Sequence, residues 1–237
     1  MTSLKKQTVS GVKWVLVTSI IQRILSFGAT VILARILTPA DFGLFALAFV
    51  MIDGFQVFKS LGFDTALVRR KEDINVAANT AFFLIPSMGV ILFLILLIIA
   101  PIGAKFLNND SVANIIRALA IIFVISCFGK VPQTILYRDM KFKFKSISEI
   151  YSTLIYVLTA VILALNKFGV WSLVIAYILR NLIQISIELY FSGWKPNFEF
   201  NKKIALEMFH FGKFVLGGSL VWFLYSNLDN LLVGKLL

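Results

Sequence analysis

Residues 80–104 read TAFFLIPSMGVILFLILLIIAPIGA and contain no charged side chain. A helix needs about 20 predominantly apolar residues to cross about 30 Å of hydrocarbon. This stretch meets that requirement, and we therefore predict that it forms a transmembrane helix.

The composition of the whole chain supports the same class. Hydrophobic residues make up 59% of the sequence, charged residues only 15%, and the mean hydropathy is +0.90. A soluble domain usually carries about 25% charged residues. Because so few charges cannot cover the surface of a soluble domain of 237 residues, we predict an all-α membrane protein.

The apolar pattern predicts a polytopic bundle of about seven transmembrane helices. The first apolar run is too long for the core of a cleaved signal peptide, and six more follow it. The predicted spans are 12–34, 42–67, 80–104, 114–136, 147–165, 170–191 and 211–234.

The distribution of lysine and arginine predicts the orientation. The loops on the side of the N-terminus hold fourteen of these residues, and the alternate loops hold four. Because basic loops remain in the cytoplasm, we expect a cytoplasmic N-terminus and an outer C-terminal end.

The residue inventory argues against several other functions. The net charge is +11, but the basic residues form short clusters between apolar runs, which is not typical of a nucleic-acid-binding face. Cys127 and His210 are the only residues of their types, so we expect neither a disulfide framework nor a zinc site. No phosphate-binding ATPase loop occurs, and no cofactor is predicted.

The segment RILTPADFG, residues 35–43, predicts where the second span begins. Thr38 suits an N-cap, Pro39 the first helical position and Asp41 the third, where a carboxylate meets free backbone N–H groups. This structural interpretation is sufficient, and we assign the segment no chemistry.

Residues 13–37 and 213–237 resemble each other at an offset of 200. The matched positions include Lys13 with Lys213, Ser19 with Ser219 and Leu37 with Leu237. Tandem repeats are common in transporters. We therefore predict a six-helix lobe at 1–207 and the first helix of a truncated second lobe at 208–237, in a complete protein about twice as long.

Five of the predicted spans carry polar side chains at helical spacing. In the first span these are Ser19, Arg23, Ser26 and Thr30, which lie on one face of a helix. Such stripes are typical of a hydrated cavity between helices, or simply of close helix packing. Both interpretations remain open, above all for the fifth and sixth spans.

Arg23 lies deep in the predicted first span, about ten residues or 15 Å along it. One interpretation is an ion pair with Asp53 of the second span. The other is a cationic site for a phosphate or pyrophosphate group, which a planar guanidinium suits. We favour the anion site because one carboxylate cannot neutralise both Arg23 and Lys59, and Lys130 of the fourth span adds further positive charge.

Five segments, spread along the chain, resemble the Wzx-type polysaccharide flippases of the multidrug/oligosaccharidyl-lipid/polysaccharide exporter superfamily, in particular the branch of colanic-acid-type exporters. They are RILSFGATVILARILTPADFGLFALA (23–48), LGFDTALVRRKE (61–72), VPQTILYRDMKFK (131–143), GVWSLV (169–174) and NLDNLLVGKLL (227–237). Each segment alone is a weak signal, but the set in this order is specific.

The resemblance implies an inner-membrane flippase with two six-helix lobes around a V-shaped cavity. Its substrate would be an oligosaccharide on polyprenyl pyrophosphate, and its partners would be membrane lipids and the polysaccharide polymerase machinery. The residues expected to contact pyrophosphate or sugar are Arg23, Lys59, Lys130, Gln22 and Gln56. Asp53 or Asp229 is the expected coupling carboxylate.

Three alternatives remain open from the sequence. A multidrug antiporter of the same superfamily would favour buried acids over the buried base Arg23. A membrane-bound transferase would need a catalytic cluster in a substantial loop, whereas the predicted loops are short and basic. A membrane subunit that transports nothing by itself is the third.

Overall fold

The computed structural model describes the backbone of residues 2–56, 58–59, 61–106 and 109–236, and the side chains of these residues except 2–8, 106, 220 and 222–236. Within these residues the chain is helical and contains no strand. The helices are α1 (Thr2–Ala34), α2 (Pro39–Gln56), α3 (Phe63–Arg69), α4 (Ile74–Phe106), α5 (Ser111–Phe128), α6 (Lys130–Arg138), α7 (Phe142–Leu165), α8 (Val170–Ser192) and α9 (Lys202–Leu236).

Six helices of the described part are long and apolar enough to cross a membrane, which confirms the predicted all-α membrane fold. They cover Val9–Ala34, Pro39–Gln56, Ile74–Lys105, Ser111–Phe128, Phe142–Leu165 and Val170–Ser192. The predicted seventh span lies within α9, and most side chains of residues 211–234 are outside the described residues. The predicted lobe boundary at 207/208 also falls within α9.

Two predicted spans are wrong at their C-terminal ends. The span predicted at 42–67 ends at Gln56, and the short helix α3 follows it. The span predicted at 114–136 ends at Phe128, and α6 begins at Lys130. Both α3 and α6 bury apolar side chains against the rest of the protein, so their hydropathy reflects burial in protein and not a longer span.

The predicted start of the second span is confirmed in detail. The Thr38 backbone N–H and hydroxyl donate to Asp41 Oδ2 at 3.0 and 2.7 Å, and the Asp41 N–H donates to Thr38 Oγ1 at 3.3 Å. These reciprocal bonds form a capping box that satisfies backbone donors at the N-terminus of α2.

Helix α5 forms the centre of the bundle. It packs against α2, α4 and α8, and ten of its residues are buried. By contrast, α1 packs mainly on α7 and exposes many apolar side chains, including Leu16, Ile20, Ile24 and Phe27. The most extensive contact between two of the described helices is that of α7 with α8.

The start of α9 docks onto the lobe. Ile204 and Met208 are buried in one apolar cluster with Phe63 of α3 and Ala77 of α4. Arg70 and Glu207 form an ion pair at 2.9 Å, and the Arg69 guanidinium lies 5.2 Å from the centre of the Phe211 ring. The start of α9 is therefore fixed to α3 and α4.

The loops that follow α3, α6 and α8 lie at the same end of the bundle as the start of α1, because the spans alternate in direction. These loops and the helix ends that flank them hold ten of the 23 lysine and arginine residues of the chain: Arg69, Arg70, Lys71, Arg138, Lys141, Lys143, Lys145, Lys195, Lys202 and Lys203. We refer to this end as the basic end, and to the end that carries the turn before Pro39 as the opposite end.

Candidate functional site

The helical path is interrupted between α2 and α3 and again between α5 and α6. Each of these two helix interruptions places a lysine toward the basic end. Lys59 follows the end of α2, and Lys130 begins α6 directly after α5. Asp64, in the first turn of α3, is near both: the Lys130 Nζ is 3.4 Å from Asp64 Oδ2, and the Asp64 charge acts on Lys59. We refer to Lys59, Asp64 and Lys130 as the helix-break cluster.

The helix-break cluster carries two ammonium groups and one carboxylate. Lys59 is half-buried, and its pKa is lowered to about 8 from 10.5 by burial and then by the positive charge of Lys130. An excess positive charge in a partly buried site is most favourable when an anion binds there. The arrangement is therefore suited to an anionic group such as a phosphate.

A buried carboxylate lies on the other side of α6. Glu188 of α8 is only 2% exposed, and its Oε1 accepts hydrogen bonds from Gln184 Nε2 at 3.0 Å, Ser148 Oγ at 3.2 Å and Gln133 Nε2 at 3.5 Å. These neutral donors satisfy the buried oxygen. Glu188 is therefore enclosed where α8 packs against α6 and α7.

Gln133 links the two polar groups, since it lies one helical turn after Lys130 on α6. Glu188 also acts electrostatically on Lys59. A continuous polar region thus runs from the helix-break cluster to α7 and α8. Asp64, Gln133 and Ser148 were not predicted to belong to this region; the four-residue spacing of Gln184 and Glu188 is a signal for its part on α8.

The structure brings together two of the predicted site residues, Lys59 and Lys130, and leaves Arg23 elsewhere. Arg23 is exposed on α1 and takes part in none of the ion pairs among the described side chains. It lies about 16 Å from the opposite end of α1, whereas Lys59 follows a helix of about 26 Å that starts from that end. Arg23 is therefore at a different depth from the helix-break cluster.

The remaining predicted residues are distributed over α1, α2 and α9. Gln22 and Gln56 are half-buried, and Asp53 is exposed. The ion pair considered between Arg23 and Asp53 is not formed in the described part of the structure. The side chain of Asp229 lies outside the described residues.

Comparison with known proteins gives consistent matches. Residues 32–237 match the family model described as "Polysaccharide biosynthesis protein". No solved structure matches the chain.

Three relatives are similar to the chain. The teichuronic acid biosynthesis protein TuaB of Bacillus subtilis is 28% identical over 99% of this chain and 49% of its own length. The lipopolysaccharide biosynthesis protein WzxC of Escherichia coli is 23% identical over 99% of this chain and 48% of its own length. The succinoglycan biosynthesis transport protein ExoT of Rhizobium meliloti is 28% identical over 79% of this chain and 38% of its own length. The chain thus spans about half the length of the first two relatives and a smaller part of the third.

Proposed function

Because the chain belongs to the polysaccharide biosynthesis protein family, we propose that it is a membrane flippase, or the part of one, that moves polyprenyl-pyrophosphate-linked oligosaccharide from the cytoplasmic to the outer leaflet. The observation that carries this proposal is the helix-break cluster. Its two lysines provide a cationic site for the one strongly charged group that such substrates share, the pyrophosphate.

The proposed transport needs no chemical bond to break. A pyrophosphate with attached sugars is too polar to cross hydrocarbon unaided. The basic end faces the cytoplasm in this proposal, since basic loops favour that side. The helix-break cluster would bind the pyrophosphate there while the polyprenyl chain stays in the lipid.

Arg23 provides a second cationic contact further toward the opposite end. Its exposure on α1 leaves the guanidinium available to a phosphate oxygen that moves along the bundle. Gln22 and Gln56 would contribute amide hydrogen bonds to the head group. Asp53 or Asp229 would be the residue through which an ion gradient drives the cycle.

We also propose that the protein resides in a bacterial inner membrane and delivers its cargo to polysaccharide polymerase machinery. The relatives' names support such a setting, since each refers to the biosynthesis of a polysaccharide. A cation-extruding multidrug antiporter fits less well, because the helix-break cluster has more basic than acidic groups.

The proposed function is tested by mass spectrometry of lipid-linked oligosaccharides from cells with and without the gene. We expect one polyprenyl-pyrophosphate glycan to accumulate in the cells without it, together with loss of one surface polymer. An unchanged lipid pool and an unchanged polymer would refute the proposal.

Replacing Arg23 tests the second cationic contact. In Arg23→Ala we expect polymer export to fall by at least about tenfold, the value of one lost charge-assisted hydrogen bond. Membrane insertion should be unchanged, because Arg23 makes no ion pair among the described side chains. Arg23→Lys is the matched control and should retain part of the export; normal export in Arg23→Ala would exclude this role.

A further inference from the structure

A second polar site lies at the basic end, apart from the helix-break cluster. It is a cavity of about 810 Å³ between the start of α4, the end of α6 and the connection that follows α8. Its lining includes none of the three residues of the helix-break cluster. The volume falls within the range of about 300–1,000 Å³ that is typical of small-molecule sites. We refer to it as the basic-end cavity.

The walls of the basic-end cavity are held in place by buried polar groups. The Asn197 N–H donates to Asn79 Oδ1 at 3.1 Å, and the Asn201 N–H donates to Thr80 Oγ1 at 3.2 Å. Asn79 and Thr80 are 3% and 0% exposed. The connection after α8 is therefore tied to α4, and the cavity is formed before any ligand arrives.

Two further contacts fix the aromatic and cationic walls. The Trp194 ring lies edge-on to Phe82, with 5.2 Å between the ring centres. Arg138 donates through Nη1 to the backbone oxygens of Leu67 and Arg70. Its other guanidinium nitrogens make no hydrogen bond within the described residues, which leaves them available to a ligand in the cavity.

The lining combines hydrogen-bond donors and acceptors. The amides of Asn75 and Asn197 offer both kinds of group, and they are joined by two carboxylates and two cations: Asp139, Glu199, Arg138 and Lys195. Asp139 is paired with Lys141 at 3.1 Å, so the carboxylate that would repel a phosphate is Glu199, and the two cations would repel a metal ion. A lipid chain would leave the polar groups without hydrogen bonds.

Sugar hydroxyls match this lining, because each can donate and accept a hydrogen bond. Trp194 adds an aromatic surface for the apolar face of a sugar ring. We propose that the basic-end cavity binds the uncharged sugar units of the substrate while the helix-break cluster binds its pyrophosphate. This inference rests on the proposed function.

Helix α6 connects the two sites. It begins at Lys130 in the helix-break cluster and ends at Arg138 in the basic-end cavity, so the two side chains originate about 12 Å apart along the helix. A pyrophosphate and a short glycan of one molecule can therefore contact both ends of α6. The cavity would recognise the glycan, and the cluster would recognise a group common to all such lipids.

The test is binding of a soluble oligosaccharide to the purified protein, in the form that its cell produces. The probe is the repeat-unit glycan released by mild acid from the cell's own lipid-linked pool. The variant is Asn75→Ala with Glu199→Ala, two exposed lining residues. Lys202→Ala, an exposed position outside the cavity lining, is the matched control.

We expect the double variant to bind the glycan about tenfold more weakly, because two hydrogen-bonding groups are lost. Its affinity for inorganic pyrophosphate and its thermal stability should equal those of the control. Equal glycan binding by the double variant and the control, or no glycan binding by the unmodified protein, would overturn the inference. Displacement of the glycan by inorganic phosphate would identify an anion site instead and would also overturn it.

The outcome separates this inference from the proposed function. If the unmodified protein does not bind the glycan but its loss still causes the lipid-linked glycan to accumulate, only the cavity assignment fails. If its loss leaves the lipid pool and the polymer unchanged, the flippase proposal itself fails.

Discussion

The two helix interruptions both lead to a lysine of the helix-break cluster, but they are built differently. The second interruption is the single residue Gly129, which keeps helical dihedral angles (φ −79, ψ −13) and lies against Ile185 of α8. The first, between Gln56 and Phe63, contains Leu61 and Gly62 at φ 47 and φ 76. Its last two residues, Leu61 and Gly62, lie against α9, whereas Lys59 contacts α5.

Because of this difference, the segments that carry the two lysines contact different helices. Lys130 belongs to a helix that packs against α8 and the buried end of α5. Lys59 belongs to a segment whose neighbour Gly62 approaches Val215 and Gly212 of α9. The Lys59 backbone oxygen also accepts a hydrogen bond from Cys127 Sγ of α5 at 3.7 Å, so the first interruption connects α5 with α9.

The largest expected effect is on transport and comes from Lys130, at the second interruption. We expect Lys130→Ala to reduce polymer export by about ten- to a hundredfold, since a hydrogen bond to a charged group contributes about 1.5–3 kcal/mol. It also removes the ion pair with Asp64. Lys59→Ala should reduce export less, because Lys59 is more easily neutralised.

Polymer yield per cell, normalised to the amount of protein in the membrane, measures this difference. Lys130→Arg is the matched control, since it keeps the charge. If Lys59→Ala is the more damaging change, the assignment of Lys130 as the principal anion contact is wrong.

The next effect is on stability and comes from the glycines. In Gly62→Ala the new Cβ would lie 2.7 Å from Val215 Cβ at a backbone with φ 76, so we expect a loss of about 1–3 kcal/mol from overpacking and a further 1–2 kcal/mol from the left-handed conformation. Gly129→Ala would meet Ile185 Cγ1 at 2.5 Å without that strain, and it should lose only the overpacking part.

Unfolding in detergent, followed by the fluorescence of the tryptophans, measures both variants. Gly54→Ala is the control within α2, because nothing lies within 4 Å of its new Cβ; it should be neutral or stabilising by up to about 1 kcal/mol. A Gly129→Ala variant less stable than Gly62→Ala would reverse the comparison.

The smallest expected effect is the dependence of anion binding on pH. Lys59 has a pKa of about 8, so it is mostly charged at pH 7 and mostly neutral at pH 9. We expect the affinity for inorganic pyrophosphate to fall by up to about tenfold as the pH rises through 8. The sign follows because only the protonated lysine attracts the anion.

Titration of purified protein at pH 7, 8 and 9 measures this dependence. In the Lys59→Arg control the pyrophosphate ionises as it does with the unmodified protein, but the arginine keeps its charge from pH 7 to 9. The affinity of this variant should therefore change less than that of the unmodified protein. Parallel curves for the two proteins would show that Lys59 does not contact the anion.

The class of fold could be predicted from the sequence because apolar length and lack of charge leave few alternatives. The start of α2 was also predictable, since Thr38, Pro39 and Asp41 form a local capping pattern that depends on no distant residue. The interruptions were not, because hydropathy continues across them: Phe63, Leu67, Val131 and Leu136 are apolar but are buried in protein.

The candidate site was predictable in part for a related reason. Lys59 and Lys130 were recognisable as charges within long apolar runs, in the predicted second and fourth spans. Their proximity to Asp64 and the burial of Glu188 depend on how α3, α6 and α8 pack, which one-dimensional spacing does not determine. The signals available in hindsight are Gly62 and Pro132, since each is typical of a helix boundary.

The most direct test of the central claim is to measure on which side of the membrane the lipid-linked glycan lies. Right-side-out vesicles from cells that contain the unmodified protein, or the variant Lys59→Ala with Lys130→Ala, would be treated with a membrane-impermeant oxidant of sugars. We predict that the oxidant reaches the glycan with the unmodified protein, and that with the double variant the glycan is made but remains protected. An equally accessible glycan in the double variant would contradict the claim that the helix-break cluster carries the substrate across.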